Sequence, residues 1–247
     1  MHEIAVLSDI HLGWEHTDND EVISELRAVK KEFARKKPEL VILNGDLIHE
    51  VDEKTDIENI EQIVELFEDG PWELACLPGN HDIKHLNVEQ FLDVTWNRTY
   101  PYTFEINGLQ FVFLNTAGTA EHSNLGKIKQ IDIEYLKKLL FKENRKNVCV
   151  VTHFLLSYTD SYQEFPPFAH YPEGVFAVNK FTYATEVADN PPEYHLFGHL
   201  HYEDMFEDEV LGTQCYVTPP SIDFLTDTVS IRPTYFDVED GSLEKSG

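Results

Sequence analysis

Carboxylates, imidazoles and an amide recur in short clusters along this chain: Asp9-Ile10-His11, Asn44-Gly45-Asp46, Pro78-Gly79-Asn80-His81-Asp82, His153 and Gly198-His199-Leu200-His201. What these side chains can do together is donate oxygen and nitrogen lone pairs to a cation, and no cluster contains a thiol. Such a donor set suits borderline or hard divalent ions, namely manganese, iron, zinc or magnesium. Taken singly, each motif arises easily, and a lone histidine such as His153 usually has an ordinary hydrogen-bonding role. Five in order, each directly after an apolar run, read together as a metal site.

Those apolar runs have the length of strands: Ile4 to Leu7, Leu40 to Leu43, Leu74 to Leu77, Phe111 to Leu114, Val148 to Val151 and Tyr194 to Phe197. Between them, Glu21 to Lys36, Asp56 to Phe67 and Asp132 to Glu143 carry apolar residues at helical spacing on charged faces. The alternation predicts an α/β fold with a mostly parallel sheet, which gathers its ligands in loops beyond the carboxyl ends of the strands. Seven candidate ligands then share one rim: Asp9, His11, Asp46, Asn80, His153, His199 and His201. Gly45 and Gly79 beside them supply the unusual backbone angles or close approach that a sharp turn needs. Asn107-Gly108, between Tyr102 to Ile106 and Gln110 to Leu114, predicts a tight hairpin and the start of a second, antiparallel sheet. Gln214 to Thr218 and Thr234 to Val238 read as further strands, with Val229 to Ile231 contributing, and the last few residues as a frayed end. The Pro- and aromatic-rich stretch from Phe165 to Gly174 reads as a loop near the site, at the surface or as a lid. No internal repeat or linker interrupts the chain.

On these residues the chain resembles the calcineurin-like metallophosphoesterases over roughly residues 4 to 220. The resemblance implies a four-layer α-β-β-α sandwich with mixed sheets and the active site at the strand carboxyl ends. It implies one metal held by Asp9, His11, Asp46 and His201, and a second held by Asp46, Asn80, His153 and His199, with Asp46 bridging. Manganese is the first expectation among the candidate ions. Two cations about 3.5 to 4 Å apart activate a bridging water and stabilise in-line attack on a phosphate ester. His81, next to the ligand Asn80, is implied to face substrate as proton donor to the leaving oxygen or as an electrostatic clamp. Asp46 and His81 are therefore the candidate catalytic residues. Asp82 reads either as support behind the ligands or as a helix N-cap.

Departures from the pattern narrow the branch. Ser/Thr protein phosphatases carry Asp-Arg-Gly three residues after the bridging aspartate, where this chain has His49-Glu50-Val51. Lipid A pathway diphosphatases carry Arg where His81 stands. Asp9 to Gly13 and Gly45 to His49 look like the double-strand-break repair nucleases, in which a histidine matching His49 helps orient substrate. Tyr102 to Gly108, Phe113-Leu114-Asn115-Thr116 and Thr218-Pro219-Pro220-Ser221 are similar to class III cyclic nucleotide phosphodiesterases. The expectation is hydrolysis of a small, nucleotide-like phosphodiester. A nuclease or a phosphomonoesterase is the alternative, and a scaffold such as the retromer subunit of this fold comes last.

The 247 residues suit one domain spanning 1–247, and 42% apolar with 12% aromatic residues provide a sizeable core. The start has no basic n-region and no segment approaches the 18 apolar residues of a membrane span, so a cytoplasmic protein with no membrane partner is expected. Cys76, Cys149 and Cys215 lie in apolar, strand-like contexts and read as reduced core thiols. The 45 acidic against 19 basic residues give a net charge of −26, of which two divalent ions offset only about four. Most of the acidity is therefore assigned to solvated surface, notably Asp18 to Glu25, Glu50 to Glu61 and Glu203 to Glu209. Such a surface repels polyanionic duplexes and disfavours nucleic acid as a partner against a small phosphoester. His2, His16, His85, His122, His170 and His195 lie outside the motifs and read as surface or hydrogen-bonded, with His122 and His170 in loops that could reach substrate.

Overall fold

The computed structural model describes residues 2–117, 126–156, 180–223, 226 and 228–246. In chain order the first half runs β1 (His2–Leu7), α1 (Asn19–Lys36), β2 (Leu40–Asn44), α2 (Glu53–Phe67), β3 (Glu73–Leu77), α3 (Val88–Thr95), β4 (Tyr102–Ile106) and β5 (Leu109–Phe113). Then follow α4 (Gln130–Leu140), β6 (Asn147–Val151), α5 (Lys180–Val187), β7 (Tyr194–Phe197), β8 (Asp204–Glu207) and β9 (Gln214–Val217). Four short strands close the chain: β10 (Ile222–Asp223), β11 (Thr228–Val229), β12 (Thr234–Glu239) and β13 (Ser242–Lys245).

The first two helices start earlier than their apolar spacing suggests because polar caps fix their ends, and a cap also fixes the start of α3. Asp18 accepts from Asp20 N ahead of α1, Asp52 accepts from Thr55 N ahead of α2, and Asn87 and Gln90 form a reciprocal capping box on α3. In α1, Asp20 and Glu21 occupy the first turn and Arg35 and Lys36 the last, an arrangement that complements the helix dipole.

Two mixed sheets form the centre, in the orders β13-β12-β1-β2-β3 and β4-β5-β6-β7-β9-β8, and a β10-β11 pair stands apart. In the first, β1, β2 and β3 are parallel while β12 and β13 are antiparallel. In the second, β5, β6, β7 and β9 are parallel, and only the edge strands β4 and β8 run against their neighbours. The second sheet is therefore mixed, contrary to the antiparallel sheet expected from the Asn107-Gly108 hairpin. That turn fixes only the edge pair. The six apolar runs are likewise shared between two sheets, three to each.

Alternation along the strands builds four layers. Ile4, Val6, Leu40, Ile42, Ala75 and Leu77 face Phe111, Phe113, Cys149, Val151 and Leu196 between the sheets. The opposite faces of β1 to β3, with Ala5, Leu7, Val41, Leu43 and Cys76, are covered by Val22, Leu26 and Phe33 of α1 and by Ile60, Ile63 and Phe67 of α2. On the far side, Val112, Val148 and Val150 pack against Leu136, Leu140, Tyr183 and Val187 of α4 and α5. The three cysteines are buried and free.

The chain end is not frayed: β13 pairs with β12 through Phe236 to Glu239, and Leu243 is buried. The stretch Phe165 to Gly174, His122 and His170 lie outside the described residues. No helix among the described residues is long and apolar enough to cross a membrane.

A candidate dinuclear metal centre at the strand ends

Past their last paired residues, β1 and β2 stay tied together by main-chain bonds. Asp9 N donates to Gly45 O, His11 N to Asp46 O and Leu12 N to Leu47 O, each at 3.0 Å. Asp9, His11 and Asp46 adopt positive φ of 53°, 50° and 49°, and His199 and His201 after β7 adopt 68° and 54°. Non-glycine residues avoid this region at a cost of roughly 1–3 kcal/mol each, and functional sites are where such strain concentrates. The backbone turns sharply so that each side chain enters the rim.

The glycines between them are demanded by contact. A Cβ on Gly79 would stand 2.1 Å from Asp46 Oδ1, and one on Gly45 would stand 2.4 Å from the His153 ring. Both turns press against donor side chains, so neither position admits a Cβ.

Six of the seven predicted donors meet here. Asp9, His11, Asp46 and His201 form one group and Asp46, His153 and His199 another, the donor atoms within each lying within 4.8 Å of one another. Asp46 belongs to both. Its Oδ2 lies 3.1 Å from His153 Nε2 and 3.8 Å from His11 Nε2, while His201 Nε2 lies 3.2 Å from Asp9 Oδ1 and from His11 Nε2. Asn80 is buried beside them.

These donors fit divalent cations by a criterion independent of spacing. Asn80 Oδ1 is buried without a hydrogen-bond partner, and Asp46 Oδ2 and His153 Nε2 are buried facing only each other, at 3.1 Å. Leaving such atoms unsatisfied costs about 1–3 kcal/mol each, which a cation removes. His153 Nδ1–H donates to Asn44 O at 2.9 Å, which leaves Nε2 as the lone-pair nitrogen facing Asp46.

Charge favours the same occupant. Burial alone would raise Asp9, but the hydrogen bond and charge of His201 hold its carboxyl down to about 2. Burial also opposes ionisation of Asp46, and His153 and His81 nonetheless keep it well below the usual range. Burial disfavours protonation of His153, yet Asp46 pulls it up to about 9, a field that a cation satisfies as well as a proton does. Burial holds His11 well below its ordinary value, as a neutral donor.

Residues 2–203 match the sequence model of the Calcineurin-like phosphoesterase family. The chain belongs to that family. Its fold is shared with a dimetal phosphatase from Danio rerio, at 12% identity and a TM-score of 0.74, covering 97% of this chain and 93% of that one. A phosphopantetheinyl hydrolase from Mycobacterium tuberculosis is also similar, at 12% identity and a TM-score of 0.55, covering 88% and 89%. No curated protein matches the sequence significantly. As a calcineurin-like phosphoesterase, the chain is a metal-dependent phosphoester hydrolase, and its His/Asp cluster offers the donors for a dinuclear divalent centre.

Ser8 is a residue of the site that the motifs do not name, and Asp82 is one whose role they leave between support and cap. Ser8 Oγ donates to Asp9 Oδ2 and lies 3.1 Å from Asn44 O, bracing the first carboxylate. Asp82 is fully buried, and its oxygens accept from Leu47 N at 2.8 Å, Ile48 N at 3.1 Å and Gly79 N at 2.7 Å. It clamps the loop after β2 to the loop after β3 and caps no helix, since Asn87 caps α3. Burial and the charge of Asp46 push its carboxyl up to about 7, against the pull of those N–H groups.

The acidic run from Glu50 to Glu61 is not wholly solvated surface. Glu50 accepts from His81 Nδ1–H and from Lys84 Nζ, and Asp56 is buried with His85 Nδ1 at 2.8 Å. His49 stacks on His81 with ring centroids 4.8 Å apart and meets Trp14 edge-on at 4.4 Å. Outside the rim, His2 bonds Glu39 and His195 bonds Thr152, as expected of non-motif histidines.

Proposed function

We propose that this calcineurin-like phosphoesterase hydrolyses a small, nucleotide-like phosphodiester. The observation that carries the reading is the pair of donor groups sharing Asp46. Asp9, His11, Asp46 and His201 hold one ion, and Asp46, Asn80, His153 and His199 hold the other. Mixed oxygen and nitrogen donors without sulfur suit manganese first, with iron, zinc and magnesium as alternatives. When bound, such a pair supplies Lewis acidity and positive charge that stabilise an in-line phosphoryl transition state.

The chain's own residues supply the rest. His81, with its backbone N–H on Asp46 Oδ1 at 2.9 Å, is fixed beside the centre and delivers a proton to the leaving oxygen. His49, stacked on His81, orients the substrate. The net charge of −26 speaks against long polyanions and so against a nuclease. A full donor set with His81 in place speaks against a pure scaffold. Monoester hydrolysis is the second reading, favoured by likeness in fold to a dimetal phosphatase.

Metal-stripped protein tests this with added manganese, magnesium, iron or zinc on bis-p-nitrophenyl phosphate and p-nitrophenyl phosphate. Single-stranded DNA and a cyclic nucleotide serve as competitors. Metal-restored diester turnover that the cyclic nucleotide inhibits and DNA does not is the expected result. Turnover of the monoester alone supports the second reading, and no turnover with any metal overturns both.

A further inference from the structure

We propose that Glu50, balanced by Lys84, is the positioning residue for His81. This rests on the role given to His81 above and adds a residue that none of the metal motifs contains.

Glu50 stands four residues after Asp46, and Lys84 three after His81, so each loop contributes one member beyond its metal-site motif. One carboxylate oxygen, Oε2, accepts from His81 Nδ1–H, and the other, Oε1, accepts from Lys84 Nζ at 2.5 Å. With both oxygens committed, the carboxylate cannot rotate without breaking a charge-assisted bond. The imidazole is held from three further sides. Its backbone N–H is on Asp46, His49 stacks on its face at 4.8 Å and 30°, and His11 meets it edge-on at 4.8 Å and 78°. Because Nδ1–H is bound to Glu50, Nε2 is the nitrogen left to meet a substrate, and the carboxylate favours the imidazolium form of the ring, whose Nε2–H is the proton given to the leaving oxygen.

Burial separates this arrangement from an ordinary surface ion pair, which contributes little. The side chains of Glu50 and His81 are only 17% and 20% exposed. Lys84 has an electrostatic task as well. An unbalanced carboxylate this close to the centre would repel an anionic phosphoester, and the ammonium cancels its charge.

The test uses manganese-reconstituted wild type, Glu50→Ala, Glu50→Gln and His81→Ala on aryl phosphodiesters whose leaving groups run from p-nitrophenol to phenol. For Glu50→Ala, kcat should fall about 10- to 100-fold on the phenyl ester and much less on the p-nitrophenyl ester, because a good leaving group needs little proton assistance. KM and metal content should stay close to wild type. Glu50→Gln should fall less, since its amide oxygen still accepts from Nδ1–H. Uniform loss across leaving groups, loss of metal, or wild-type kcat on every ester overturns the proposal. If His81→Ala shows the leaving-group dependence and Glu50→Ala does not, Glu50 alone is misassigned. If His81→Ala lacks it, the role of His81 fails and the proposal with it.

Discussion

The first sheet sends the rim both carboxylates, the amide and one imidazole, Asp9, Asp46, Asn80 and His11, whereas the second sends three imidazoles, His153, His199 and His201. Hydrogen bonds of the main chain and of the site itself tie the two sides at this edge. His199 N donates to the Asp9 carboxylate at 3.1 and 3.2 Å, His153 Nδ1 to Asn44 O, and Ser221 N to Asp9 O at 3.1 Å. The negative charge is thus fixed on one side by main-chain cross-links, and nitrogen donors are brought to it from the other. A cation pair held here would join the two sheets as well as supply the chemistry, and Asp46 is the donor common to both groups.

The largest effect should therefore come from Asp46→Ala, which removes the donor common to both groups. Activity should drop to background, and bound metal, measured by elemental analysis, should fall toward zero. His153→Ala, which takes one donor from one group, should retain about one ion per chain. Equal metal loss in the two variants would erase the distinction between the sides.

His81→Ala comes next. It belongs to the first sheet's side yet is not a donor in the proposed centre, so activity should fall about 10²- to 10⁴-fold while metal content holds. Loss of metal from this variant would make His81 a ligand and overturn its assignment.

Asp82→Asn probes the clamp that gives the first side its rigidity. The amide keeps one acceptor for Leu47 N and Ile48 N but turns an N–H group toward Gly79 N, a donor against a donor. A loss of about 1–3 kcal/mol in unfolding free energy is expected, with weaker metal retention. Unchanged stability would show that the main-chain bonds between the loops suffice without it.

These contrasts also show what a sequence makes visible. The donors were legible because ligand chemistry restricts residue type, and the parallel strands because their buried runs are continuous. α3 was missed because eight residues carry too little periodicity, and β8 because an exposed edge strand reading Asp-Met-Phe-Glu has no buried face to pattern it. β13 offers only Leu243 to the core. Glu50 was hidden in an acidic run because a carboxylate facing His81 and one facing water look alike until the loops after β2 and β3 are brought together. The division of six similar runs between two sheets is a matter of long-range pairing, which no local pattern encodes.

The smallest expected effect lies on the second sheet's side, one strand behind the rim. His195 of β7 is fully buried, and its Nε2 lies 2.7 Å from Thr152 Oγ1. The Thr152 hydroxyl donates to Phe154 O, also at 2.7 Å, so its oxygen accepts from His195 Nε2–H. Burial pushes His195 down to about 3 from its ordinary 6.5. A folded-state pKa below the unfolded one means a contribution to stability that is complete above pH 6.5 and is lost progressively as pH falls toward 3. At pH 5 the loss is roughly 2 kcal/mol. Denaturant unfolding at pH 7.5 and pH 5 should therefore show wild type losing about that much more stability than His195→Gln, which cannot titrate, because the carboxylates common to both proteins cancel in the comparison. Equal losses would mean that the imidazole accepts a proton in the fold at little cost, and that the second side tolerates positive charge behind its donors.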